Sequence, residues 1–254
     1  MTDLILRVSA SRLKGPDYYD VLPDGEFNLM ARNMLSSGMP TALSSQLFDL
    51  GRGHQLKAGD VLFAVGDAGD GCYRLDQGLL KVVVTSPRGE ERIVAILGPG
   101  AVVGELAMID RLPRSASVVA LRDSVLRFIT REVFEKSVKA HPEAYQALLE
   151  ILASRLRQAD ETLAAASFLT VKARVARALL ELAELVGKPS GRGRVVLDEK
   201  ISQVDLAAMA GVARENVNRV LGEWRRRNLV VIGDSSRYYV NDIAALKQEI
   251  DLDT

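Results

Sequence analysis

Residues 201–240 read ISQVDLAAMAGVARENVNRVLGEWRRRNLVVIGDSSRYYV. Ser202 with Asp205 three residues on resembles a capping box and predicts a helix running to about Met209. Gly211 breaks it, and a second helix is expected from near Ala213 to about Arg227. Helix, short glycine-containing turn and helix make a helix-turn-helix. Leu206, Ala207, Val212, Val217 and Val220 are small or apolar where two such helices must pack. Strand Leu229–Ile232, turn Gly233–Ser236 and strand Arg237–Val240 would add a β-wing.

The start of a DNA-reading helix reaches base edges, where arginine can grip guanine and glutamate can accept from cytosine. Arg214, Glu215, Asn218 and Arg219 are the candidate base-reading residues, and Ser202, Gln203 and Arg237 the candidate phosphate contacts. The competing reading is a solvated helix in which Glu215 and Arg219 pair at i, i+4.

The chain has 254 residues, 33 basic and 33 acidic, for a formal net charge of zero. That balance argues against a nonspecific coat of nucleic acid but conceals a local surplus. Residues 214–227 hold five arginines (Arg214, Arg219, Arg225, Arg226, Arg227) against two glutamates (Glu215, Glu223). The one cysteine, Cys72, cannot supply a disulfide framework or the roughly four thiolates of an iron–sulfur centre. His54 and His141 are too far apart in sequence to suggest a histidine-rich metal centre, so no metal is expected. There is no apolar run of about 18 residues. Charges come too early at the N-terminus for a secretory signal, so a cytoplasmic protein without membrane association is expected.

Residues 1–40 are read as an N-terminal extension with one short helix at 26–35. From 54 to 130 short β-type runs alternate with glycine turns: 61–65, 72–76, 79–85, 91–97, 116–121 and 124–129. The intervening turns are expected at Gly66–Gly71, Gln77–Gly78, Ser86–Gly89 and Gly98–Gly100. That spacing predicts a jelly-roll or barrel. After Pro142 the texture is helical. Leu149, Leu152, Leu156, Ala159, Leu163 and Ala166 recur every three or four residues, an a/d seam that suits pairing with a second copy. A further helix is expected over 168–186, then a turn at SGRGR and a strand at Arg194–Leu197.

A second motif is Gly104-Glu105-Leu106-Ala107, followed after six residues by Arg114-Ser115-Ala116. A glycine opening a short helix lets backbone N–H groups approach a phosphate, and an arginine adds charge-assisted hydrogen bonds. A carboxylate held nearby can accept from a ribose hydroxyl.

With these motifs in place, the sequence resembles the cyclic AMP receptor protein family of bacterial transcription regulators, over about residues 43–245. The resemblance rests on the roll glycines, GELAMIDRLPRSA, the long helix, SFLTVKARVARALLELA and GVARENVNRVL. It implies an α+β chain: a jelly-roll cyclic-nucleotide-binding domain over 41–138, a dimerisation helix over 139–167, and a winged helix-turn-helix DNA-binding domain over 168–254. It implies that Glu105 takes the ribose 2′-hydroxyl and that Arg114, Ser115 and the Gly104–Leu106 backbone hold the cyclic phosphate, with Ala107 beside them. Arg155 falls where the family places an arginine facing the ligand. Arg214, Glu215 and Arg219 match the family's base readers, which implies a palindromic site with TGTGA-like half-sites. The implied partners are double-stranded DNA, a 3′,5′-cyclic purine nucleotide, a second copy of the chain and RNA polymerase.

The chain departs from the pattern at one place. Where the founding member has adjacent threonine and serine against the adenine, Ala159 and Asp160 stand here, with Thr162 two positions on. A methyl cannot replace a hydroxyl's hydrogen bonds. Asp160 could instead accept from an exocyclic amine or from guanine, so cyclic AMP is favoured over cyclic GMP only modestly.

Other readings are a family member that binds DNA without an effector, a haem-bound relative, and a cyclic-nucleotide module that does not bind DNA. A cupin-type enzyme would need a histidine cluster. No Ser/His/Asp set or carboxylate pair has supporting context, so no enzymatic activity is expected.

Overall fold

The computed structural model describes residues 41–251 apart from 50, 192, 198, 200 and 234–236. The helix expected at 26–35 and most of the wing turn lie outside these residues. The chain begins with helix α1 (Thr41–Phe48) and strands β1 (Arg52–Leu56), β2 (Val61–Phe63), β3 (Gly71–Thr85), β4 (Glu91–Leu97) and β5 (Val102–Val103). Helix α2 (Glu105–Asp110), strand β6 (Ser117–Thr130) and helices α3 (Arg131–Ala140) and α4 (Glu143–Phe168) follow. The remainder is α5 (Val171–Val186), β7 (Gly187–Pro189), β8 (Val195–Leu197), α6 (Gln203–Ala210), α7 (Arg214–Arg226), β9 (Val230–Ile232), β10 (Tyr238–Val240) and α8 (Ile243–Asp251).

The roll is an antiparallel sheet in the order β1-β6-β3-β4, with β2 added on β6 and β5 on β3. Two expected turns are absent. The runs 72–76 and 79–85 form one strand, β3, and 116–121 and 124–129 form one strand, β6. At Gln77–Gly78 the pairing of β3 with β6 slips register instead of reversing. Gly78 stands at φ 110°, and its bare Cα accommodates Ser124 of the partner strand. Leu56, Leu75, Leu80, Leu97, Val118 and Leu126 fill the roll's interior.

A second apolar cluster joins the roll to the helices beside it: Leu47 and Phe48 of α1, Phe134 of α3, and Leu148 and Ile151 of α4. Neither α1 nor α3 was anticipated from sequence. The long helix α4 runs through Phe168, and the next begins at Val171, three residues later than expected. Thr170 caps α5 by accepting from the Ala173 N–H at 3.2 Å.

The helix-turn-helix packs α6 and α7 on α5, α8 and the sheet β7-β8-β10-β9. Trp224 of α7 is fully buried, and its indole N–H donates to Glu249 of α8 at 3.1 Å. Glu249 also takes Lys172 and Arg227, each at 2.6 Å. This cluster extends into the roll through Leu79, Val83, Ile93 and Ile96. Two ion pairs cross the same junction, Lys81 with Asp205 at 2.7 Å and Arg122 with Glu199. No helix among the described residues is long and apolar enough to cross a membrane.

Candidate functional site

Gly104, at φ 86° and ψ 8°, turns the chain from β5 into α2. A side chain there would be strained in this left-handed conformation and would press on Arg114. The turn buries Glu105 to 1% exposure inside the roll. Arg114, 5% exposed, lies opposite with its guanidinium 4.3 Å from the Phe63 ring. Its Nη1 donates to the carbonyls of Gly104 at 2.6 Å and Gly71 at 3.0 Å. Arg155 reaches in from α4 and bonds both Glu105 Oε1 and the Val102 carbonyl.

Two buried polar atoms in this group have no hydrogen-bond partner: Oε2 of Glu105 and Nε of Arg114. An acceptor and a cationic donor are thus both left unanswered in one pocket, where such groups normally find partners. A ligand carrying a hydroxyl and an anionic oxygen would satisfy both. Cys72 lies beside them; burial pushes its thiol pKa up and the negative charge of Glu105 adds to that, so it is no thiolate nucleophile.

Of the residues expected here, Glu105, Arg114 and Arg155 converge, and Ala107 is buried behind them. Leu106 and Ser115 are exposed. Asp160 is also exposed, and no hydrogen bond or ion pair among the described residues joins it to the group. Phe63 and the carbonyls of Gly71 and Val102 were not anticipated. The only sequence signal for Gly71 was its place at the end of a glycine turn.

The seam of α4 faces outward. Leu149, Leu156 and Leu163 are 65%, 64% and 69% exposed, and Phe168 at its end is 70% exposed. Another face of the same helix, with Ala144, Ala147, Leu148 and Ile151, is buried in the chain's own core.

At the helix-turn-helix, Gly211 closes α6 at φ 62°. Val217, Val220, Leu221 and Trp224 point inward, leaving Arg214, Glu215, Asn218 and Arg219 exposed. No ion pair among the described residues joins Glu215 to Arg219; Arg219 donates instead to Asn216 at 3.3 Å. Ser202 caps α6 through the Asp205 N–H at 3.0 Å, and its hydroxyl also bonds the Asp205 carboxylate at 2.6 Å. Burial opposes ionisation of Asp205, yet Lys81 and Ser202 prevail and hold its pKa below the usual value. Gln203 is half-buried and Arg237 exposed. Arg227 is committed to Glu223 and Glu249, so it adds little to the free basic surface.

The family model of the cyclic nucleotide-binding domain matches residues 54–141, and that of the Crp-like helix-turn-helix domain matches 173–249. A CRP-like cAMP-activated global transcriptional regulator of Mycobacterium tuberculosis is 33% identical over 205 residues, covering 77% of this chain and 88% of that one. The cyclic AMP receptor protein of Thermus thermophilus is 37% identical over 175 residues, covering 69% and 77%. A crystal structure of a CRP/FNR-family transcriptional regulator from Thermus thermophilus matches with a TM-score of 0.68 at 28% identity, covering 80% of this chain and 100% of that chain.

Proposed function

Because the chain belongs to the cyclic AMP receptor protein family of transcription regulators, we propose that it is a homodimer that binds palindromic TGTGA-like DNA when a 3′,5′-cyclic purine nucleotide is bound. The observation that carries the effector reading is the pair of unanswered atoms, Glu105 Oε2 and Arg114 Nε. Glu105 accepts the ribose 2′-hydroxyl there. Arg114, Ser115 and the start of α2 hold the cyclic phosphate, since the first N–H groups of a helix have no partner within it. Cyclic AMP is preferred to cyclic GMP: the relatives above carry cAMP in their names, and Asp160 with Ala159 makes the preference a modest one.

Arg155 ties the pocket to α4, whose exposed leucines supply the dimer interface. α4 ends three residues before the DNA-binding half begins at α5. A ligand that favours one arrangement of this joint would be coupled to DNA binding, commonly by about 1–3 kcal/mol. In the dimer, Arg214, Glu215 and Arg219 of each copy read one half-site, with Asn218 beside them and Ser202, Gln203 and Arg237 on phosphates. Half-sites about one helical turn apart suit two such helices. RNA polymerase is the further partner that this reading implies.

Isothermal titration with cyclic AMP and cyclic GMP tests the effector assignment. Tighter binding of cyclic AMP supports it. No heat from either nucleotide would leave a regulator that binds DNA without an effector.

A further inference from the structure

A cavity of about 250 Å³ lies where β4 of the roll, α4, α5 and the end of α6 meet. Its wall includes Arg92, Arg174 and Arg177, with Glu161 and Glu181. Both carboxylates are engaged by one arginine: Arg177 pairs with Glu181 at 2.8 Å and with Glu161 at 3.7 Å. Among the described residues neither Arg92 nor Arg174 has an ion-pair partner. Arg174 donates through Nη1 to the Gly211 carbonyl at 3.3 Å, but its Nε is buried and makes no hydrogen bond. The Arg92 guanidinium lies against the Cα of the same Gly211. Burial, followed by the positive charge of Arg174, lowers the pKa of Arg92. Two cations therefore share one partly enclosed space and repel each other. Such an arrangement costs free energy until a negative charge enters.

We propose that this cavity is a second ligand site, for a small oxyanion of the phosphate class held between Arg92 and Arg174. Planar guanidinium groups match tetrahedral oxyanions through paired N–H donors, and the partnerless Nε of Arg174 is one such donor. The site is separate from the Glu105–Arg114 pocket. Ser154 and Arg155 are neighbours on α4, yet Ser154 lines this cavity while Arg155 turns to Glu105. Arg92 belongs to the roll and Arg174 to the helix that carries the DNA-binding half, so a bound anion would fasten the two together.

Thermal unfolding of the full chain in inorganic phosphate, against sodium chloride of equal ionic strength, tests this. At about ten times the dissociation constant, phosphate should raise the midpoint by roughly 2–4 °C. A parallel arm with a phosphomonoester such as glycerol phosphate distinguishes the sources. A rise in either arm supports the site and identifies whether free or esterified phosphate fits better. Arg92→Gln should abolish the rise, and Arg174→Lys, which keeps the charge but loses the fork, should reduce it. Arg114→Leu should retain it. In chloride alone, Arg92→Gln should melt no lower than the parent, because it removes an uncompensated cation. No rise in either arm, a rise kept by Arg92→Gln or lost in Arg114→Leu, or a clear fall for Arg92→Gln in chloride would each overturn the proposal.

Discussion

Arg155, on the helix with the exposed leucine seam, is ion-paired with Glu105, a carboxylate only 1% exposed inside the roll. The pair joins the candidate nucleotide pocket to the candidate dimer helix through two side chains. Arg155→Met would leave a buried charge alone and should destabilise the chain by about 3 kcal/mol. Pairing it with Glu105→Gln should recover much of that loss. Urea unfolding of the parent, both single variants and the double variant measures the coupling.

Arg114 is the only cation among the described pocket residues whose side chain is nearly fully buried without a carboxylate partner. Arg114→Leu should weaken cyclic-nucleotide binding about 10–100-fold by removing charge-assisted hydrogen bonds. Sedimentation should still show a folded dimer. Unchanged nucleotide affinity would remove Arg114 from the phosphate site.

The outward leucines of α4 carry the dimer prediction. Leu156→Glu puts a charge in the middle of the seam and should shift the protein to monomer in sedimentation at micromolar concentration. Its roll core should survive, because Leu156 is 64% exposed in the single chain.

Arg219 is exposed on the reading side of α7, held only by Asn216. Arg219→Ala should cost about 1–3 kcal/mol of specific DNA affinity and relax the preference at one base pair of each half-site. A panel of singly substituted duplexes in a gel shift reads this directly.

Glu184 of α5 predicts a pH dependence. Burial raises its pKa to about 7, with Glu181 adding to the rise and Lys247 opposing it, and its Oε2 has no hydrogen-bond partner. The folded chain thus holds this proton more tightly than the unfolded chain, where the value is 4.5. The stabilisation is full below pH 4.5 and fades as pH rises to about 7. Because the side chain is partly exposed, Glu184→Gln should stabilise the protein by only about 1–2 kcal/mol at pH 8 and flatten the decline below it. Unfolding midpoints between pH 5 and pH 8 check the slope.

The helix-turn-helix was legible because its signals are local. Ser202 caps, Gly211 adopts the left-handed turn, and Val217 and Val220 face inward where their spacing places them. The roll was legible as a class but not in its strand count. A glycine in a β-type run marks either a reversal or a bulge, and only the partner strand decides which. At Gly78 the slipped pairing of Leu79 with Arg122 makes it a bulge. The helix TALSSQLF was missed because eight residues with no sustained periodicity carry little signal. Its Leu47 and Phe48 are buried by elements distant in sequence.

In the pocket, Glu105, Arg114 and Arg155 were expected from the family pattern, and the fold brings all three together. Phe63 and the backbone acceptors of Gly71 and Val102 are products of strand packing, and their residue types announce nothing. Asp160 was expected to touch ligand, yet it faces outward on the seam side of α4. A base contact from Asp160 therefore depends on how two copies of the chain come together.

The central claim is that nucleotide occupancy at Glu105 and Arg114 governs DNA reading by α7. Fluorescence anisotropy of a palindromic TGTGA duplex, titrated with protein at fixed salt with and without cyclic AMP, tests it most directly. Cyclic AMP should tighten binding by about 5–150-fold, and Arg114→Leu should lose that gain while keeping the affinity of the nucleotide-free parent. Equal affinity with and without cyclic AMP and cyclic GMP would contradict it.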